Sequence, residues 1–160
     1  MRKLFSSGLV MFAGMVSIPQ VSSGPMGSPT HGVPTPDYRE DPRFQSLRKF
    51  FEKFTPAWEY AHVFLEAADD YNLDWRLLPS LSWVESSGGK AAHHNNLFGW
   101  NSGRAQFASP RAAIHNVGYR LTHSGQYKNK SLDKLLMTYN PKAEYVARVK
   151  SVMQRISPSE

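Results

Sequence analysis

The residue with the clearest chemical potential in this sequence is Glu85. On a helical wheel of about 100° per residue, Leu77, Leu78, Leu81 and Val84 fall within one arc, and Glu85 falls inside it. The run then stops at Ser86-Ser87-Gly88-Gly89. A carboxyl group in that position is expected to point toward the core side at a helix C-terminus. Apolar neighbours and the partial negative charge of the helix end both disfavour its ionised form, so its pKa is expected to rise. A carboxyl held protonated near neutral pH is what general-acid cleavage of a glycosidic bond needs, because a sugar alkoxide is a poor leaving group. The wheel alone leaves the alternative of a helix-end glutamate that curls out to water or into a salt bridge.

The elements that must position Glu85 read as helices almost throughout. Phe44, Leu47, Phe51 and Phe54 make one stripe. Thr55-Pro56 is a cap followed by a first-turn proline, ahead of Trp58, Ala61, Leu65 and Ala68. Asp74 is expected to open the helix that carries Glu85, and Gly88-Gly89 to close it. Ser109-Pro110 repeats the cap and proline before Ile114, Val117 and Leu121. Ser131 opens a short helix with Leu132, Leu135, Leu136 and Tyr139, and Asn140-Pro141 ends it. Tyr145, Val149, Val152 and Ile156 line the last helix. Only His93 to Phe107 lacks helical period, and loops or a small hairpin are expected there. The fold class is therefore mostly α, a compact helical domain with an irregular cleft-forming segment. Tyr139 ends an apolar stripe, so its ring should face inward and its hydroxyl should need a partner.

The chain has 160 residues, enough for one domain with a core plus a tail. Arg2-Lys3, the apolar stretch Leu4 to Ile18 and the small residues Val21-Ser22-Ser23 read as a secretory signal over residues 1–23. The stretch is shorter than the ~20 apolar residues of a membrane span, so no stable insertion is expected after cleavage. Residues 24–40 are rich in Gly, Pro, Ser and Thr and read as a flexible linker, leaving 41–160 as the domain. With no cysteine, neither a lipoprotein anchor nor a disulfide framework exists. Without Arg2 and Lys3, 17 basic residues face 13 acidic ones, which suits an anionic polymer without choosing among glycan, membrane surface and nucleic acid. The basic residues are scattered over several helices, which argues against a nucleic-acid partner.

The text around Glu85 resembles a known family. "LDWRLLPSLSWVESSGG" resembles the helix bearing the catalytic glutamate in the lysozyme-like superfamily of peptidoglycan-cleaving enzymes, where lytic transglycosylases end that helix in Glu-Ser-Gly. "NNLFGW" (Asn95 to Trp100) is similar to the signature of the bacterial endo-β-N-acetylglucosaminidase branch, and "FASPRAAI" (Phe107 to Ile114) to the segment that follows it. "MTYNP" (Met137 to Pro141) is similar to the Tyr-Asn motif shared across these enzymes. The match spans roughly Phe64 to Ile156, and four motifs occur in the family's order.

The resemblance implies Glu85 as general acid and Tyr139 beside it, fixing its carboxyl or a substrate acetamido group. It further implies Ser86, Asn96, Phe98, Gly99, Trp100 and Asn140 as substrate-binding positions, Trp83 as a further sugar platform, and no metal or cofactor. The implied protein is a monomer exported to the medium, periplasm or cell envelope, with the peptidoglycan glycan strand as its partner. The implied activity is glucosaminidase-like hydrolysis, with lytic transglycosylation and a non-catalytic wall-binding module as alternatives.

One departure from the family bears on the mechanism. From Ser86 to Leu132, 47 residues, there is no Asp or Glu. A second carboxylate roughly 5–9.5 Å from the acid serves many glycosidases as nucleophile or base. Asp133 and Glu144 are the remaining candidates, and Asp133 sits in a helix first turn where solvated acids are common. A single-acid route, with the substrate's acetamido oxygen or a sugar hydroxyl as nucleophile, needs neither. His93-His94 lack any metal-ligand spacing and read as loop histidines.

Overall fold

A computed structural model describes residues 36–51 and 55–157. The expected signal segment, most of the linker and Phe54 lie outside them. Among the described residues there are six α-helices and no strand, so the mostly helical class holds. The helices are α1 (Pro42–Phe51), α2 (Ala61–Asp70), α3 (Leu77–Ser86), α4 (Pro110–His123), α5 (Leu132–Tyr139) and α6 (Ala143–Ile156), with short 3₁₀ segments at Tyr38–Glu40 and Pro56–Tyr60.

The caps follow the sequence. Thr55 Oγ1 accepts from the Ala57 amide at 2.9 Å, and Ser109 Oγ accepts from the Ala112 amide at 3.1 Å, each with proline at the next residue. Two registers differ from expectation. Pro56–Tyr60 is 3₁₀, with about three residues per turn, so the α-helical spacing that placed Trp58 on the inner face does not apply. Trp58 is instead 38% exposed, with the Arg48 guanidinium 4.9 Å from its ring. Asp74 closes a turn on its own, accepting from the Arg76 amide at 2.9 Å and pairing with the Arg76 guanidinium, and α3 begins three residues later.

Helix α3 is the centre of the molecule. Leu77, Leu78, Pro79, Ser80, Leu81, Ser82 and Ser86 are all buried, and the helix packs on α6 along much of its length and on α2. A helix apolar or small on nearly every side belongs in a core. Pro79 is tolerated because it lies in the first turn, where amides lack helical partners. Around α3, Phe51, Phe64, Leu65, Ile114, Leu136 and Val149 are fully enclosed. Truncating a phenylalanine such as Phe64 to alanine typically costs about 3–5 kcal/mol. Gly118 lets α4 close on α2, because a Cβ there would stand 2.6 Å from the Tyr71 ring.

The helix ends in a left-handed residue, and that residue is Ser87 (φ 54°), ahead of the glycines. The Gly88 amide then reaches back to the Ser82 carbonyl at 3.0 Å, which satisfies an end carbonyl of the helix. The stretch 93–107 is a series of turns without a hairpin. His94, Asn95, Gly99, Asn101, Ser102 and Gly103 all take positive φ, a conformation that interrupts any extended pairing.

Candidate active site

Glu85 stands one residue from the end of α3, and the turn at Ser87 brings the chain back across it. The Ser86 hydroxyl, 4% exposed, makes that return rigid. It donates toward the Leu97 carbonyl at 2.7 Å and the Ser82 carbonyl at 3.1 Å, and accepts from the Gly89 amide at 2.9 Å. Asn96 clamps the next turn, with Nδ2 donating to the Trp100 carbonyl at 3.0 Å and Oδ1 accepting from the Trp100 amide at 2.9 Å. Asn95 does the same across the loop, donating to the Phe107 carbonyl at 2.9 Å.

These clamps press Gly99 against the acid. A Cβ built on Gly99 would lie 2.6 Å from Glu85 Oε2, and its φ of 58° is left-handed. Glycine is thus demanded twice, by conformation and by the carboxylate behind it.

Glu85 itself is exposed, so the wheel's inward placement needs correction. The stripe ends at the margin of the core, where α3 meets α6, and the side chain opens into a cavity of about 430 Å³. That cavity is lined by Val84, Glu85, Asn140, Lys142, Glu144, Tyr145 and Arg148. Its carboxyl still occupies a packed corner, and burial there raises the pKa above the ordinary value. The Tyr145 hydroxyl and the Arg148 charge pull the other way, more weakly. The Tyr145 hydroxyl is buried and has no partner with full hydrogen-bond geometry. It lies beside the Glu85 carboxylate, close enough to bond it, and burial followed by that carboxylate drives its own pKa far up. Tyr145 is therefore a neutral donor aimed at the acid.

Tyr139 serves a different partner. Its hydroxyl donates to the Phe98 carbonyl at 2.5 Å, tying α5 to the clamped loop. Its ring stacks on Tyr145, 6.0 Å between centroids and 7° between planes. Burial and then the Glu85 charge raise its pKa, so it too stays protonated. A second cavity, about 480 Å³, lies on this side of Gly99 and is lined by Trp100, Arg120, Gln126, Tyr127 and Tyr139 among others. Gly99 and Tyr139 line this cavity and Asn140 lines the other, so the two hollows adjoin where Gly99 abuts the Glu85 carboxylate.

The positions named from sequence sort into two groups. Glu85, Gly99, Trp100, Tyr139 and Asn140 border the cavities. Ser86, Asn96 and Phe98 are buried behind the wall and do not line either one, which corrects their reading as substrate contacts: every polar atom of Ser86 and Asn96 is already bonded to backbone. Trp83 packs edge-on against Phe50, 5.1 Å between centroids, as part of the core. Of the two further carboxylates, Glu144 lines the Glu85 cavity, whereas Asp133 is exposed and paired with Lys150 at 3.0 Å.

Tyr145, Arg148 and Arg120 went unnoticed in the sequence. Tyr145 read as the first rung of the α6 stripe, and the argument applied to Tyr139, a buried hydroxyl seeking a partner, would have found it. One cluster elsewhere has metal-ligating types: Glu66, Asp70 and His115 bring ligand atoms within 4.8 Å of one another. Both Glu66 oxygens are held by the Arg111 fork, so the group works as an ion-pair network joining α2 to α4. His93 and His94 are exposed in the loop.

No protein-family model matches this sequence, and no curated protein is significantly similar to it. Among the described residues no helix is long and apolar enough to cross a membrane.

Proposed function

We propose that this chain is a peptidoglycan-cleaving glycosidase, of the endo-β-N-acetylglucosaminidase type, with Glu85 as general acid. The observation that carries the reading is the seating of Glu85: a carboxyl with a raised pKa, lining one cavity and set against Gly99, which lines the next, so that no larger residue fits there without moving it. A glycan strand lying across Gly99 would place one sugar in each hollow and the bond between them at the acid.

Glu85 donates its proton to the bridging oxygen as the bond from that oxygen to the anomeric carbon breaks. The carboxylate left behind is met by Tyr145 and Arg148, the two groups that favour its charged form. A water attacks the anomeric carbon and gives a proton to Glu144, or the substrate's acetamido oxygen attacks first and water completes the reaction. Glu144 in the same cavity as Glu85 favours hydrolysis over an intramolecular sugar nucleophile. The charged and aromatic lining suits glycan, since sugars offer hydroxyls to polar groups and C–H faces to rings.

The proposed setting is the cell envelope or medium after removal of residues 1–23, with the glycan strand as partner and no metal or cofactor required. Digestion of purified sacculi followed by mass spectrometry tests the activity. Reducing-end fragments are expected. A pool dominated by 1,6-anhydro ends, one water lighter, would replace the hydrolase reading with a lytic transglycosylase that uses Glu85 alone. No digestion, with retained binding, would leave a wall-binding module.

A further inference from the structure

The two hollows beside Glu85 carry different charge. The one holding the acid is lined by two acidic residues, Glu85 and Glu144, and two basic ones, Lys142 and Arg148. The one beside Trp100 has no acidic residue in its lining and one full positive charge, Arg120. The imbalance extends along the chain: between Ser86 and Leu132 there are six basic residues, Lys90, Arg104, Arg111, Arg120, Lys128 and Lys130, and no acidic one.

Arg120 is set up to receive an anion. Its Nε donates to Asn116 Oδ1 at 2.8 Å and its guanidinium carbon lies 5.8 Å from the centre of the Trp100 ring. It enters no ion pair among the described residues, so its terminal N–H groups retain their capacity for a carboxylate. A guanidinium held at one edge and over an aromatic face has already lost much of the rotamer freedom that binding would otherwise cost.

Resting on the glycosidase reading, we infer that the Trp100 hollow is a subsite for the acid-bearing sugar of the strand, with Arg120 as its carboxylate partner and the setter of cleavage register. In an alternating strand only every second sugar, the N-acetylmuramoyl unit, carries a carboxylate, on its lactyl ether or on the stem peptide attached there. Sliding the strand by one sugar would bring a neutral unit to Arg120 and leave the carboxylate in the hollow whose two acidic and two basic residues offset each other. The ion pair lost at Arg120 opposes the slipped register. The charge difference between the hollows therefore selects which of the two alternating β-1,4 bonds meets Glu85.

The test is the identity of the new reducing ends released by wild type and by Arg120→Gln and Arg120→Lys. Glycan strands stripped of stem peptides and strands with stems intact are digested separately, and the ends are counted by mass spectrometry after borohydride reduction. Wild type should give one reducing-end sugar almost alone. Arg120→Gln should raise the share of the other about 10-fold, the order expected for losing a hydrogen bond to a charged group, while Arg120→Lys keeps part of the bias. A bias present on stripped strands assigns the carboxylate to the lactyl group, and one seen only with stems intact assigns it to the peptide. An Arg120→Gln enzyme that is slower but releases ends in the wild-type ratio overturns the inference, because a packing role against Trp100 changes rate without changing register. A wild type that cleaves neither substrate overturns the glycosidase reading itself.

Discussion

Replacing Gly99 by alanine adds a single methyl group and places it 2.6 Å from Glu85 Oε2. Ordinary contact between such atoms begins near 3.4 Å, so one of them must retreat by about 0.8 Å. The backbone has little room to yield, since Asn96 holds both polar groups of Trp100 and Tyr139 holds the Phe98 carbonyl. The carboxylate therefore moves. Misplacement of a catalytic group by about 1 Å can cost roughly 100-fold in rate, so turnover on sacculi should fall by about that factor. The left-handed φ of 58° adds a stability cost of roughly 1–2 kcal/mol, as for any residue with a Cβ. At about 4–8 °C per kcal/mol, the range for small domains, that lowers the melting midpoint by about 4–16 °C. The assay pairs initial rates of wall solubilisation with a thermal melt of the same preparation. A Gly99→Ala enzyme that melts early yet turns over within twofold of wild type would refute the claim that Glu85 works from its seat against Gly99.

Other substitutions probe the same corner. Glu85→Gln should reduce turnover at least ~100-fold, the usual share of general-acid catalysis. Because burial raises the Glu85 pKa in the folded state, its ionisation opposes folding: stability is full below the ordinary carboxyl pKa and declines as pH rises through the raised one. Glu85→Gln should thus melt no lower than wild type at pH 7, read by calorimetry. Tyr145→Phe removes a group that lowers the Glu85 pKa, so the alkaline limb of the pH–rate profile should move to higher pH, measured as kcat against pH. Tyr139→Phe leaves the Phe98 carbonyl without its side-chain donor and should cost ~1 kcal/mol in denaturant unfolding with the pH profile unmoved. Arg43 bonds Asp41 and Asp69 and lowers both pKa values, so their contribution is present above the ordinary aspartate pKa and lost as pH falls through the lowered ones. Arg43→Ala should flatten the acid limb of the stability curve.

What the sequence disclosed depended on whether a residue's partner was near it in the chain. Thr55-Pro56, Ser109-Pro110 and the α6 stripe are local signals, and the structure forms them where they were read. Glu85 was legible because it broke a local pattern, and its raised pKa followed from that break, though the side chain opens into a cavity instead of the core. Contacts across the chain were not legible. Nothing near Tyr139 says that its hydroxyl goes to Phe98, 41 positions away, and nothing near Tyr145 says that it faces Glu85. Ser86 and Asn96 stood out by type and place, but only three-dimensional closure shows that their polar atoms are spent on backbone. Trp58 misled because a 3₁₀ turn shifts the phase of the stripe.

The placement of the acid on α3 and of its opposing wall on the turns from His93 to Phe107 gives the site two different lifetimes. Amides of α3 are bonded within the most deeply enclosed helix, and they should exchange with solvent only when the whole domain opens. The wall is held by side-chain bonds from Asn95, Asn96, Ser86 and Tyr139 and by short backbone turns, each of which breaks singly. In rising denaturant the wall loosens first. The molecule then passes through a regime in which Glu85 is still mounted on a folded core while the wall beside it has lost its shape. Under the glycosidase reading, bond selectivity should decay at lower denaturant than helical content, and the gap between those two midpoints measures how much of it resides in the amide and hydroxyl side chains of the wall.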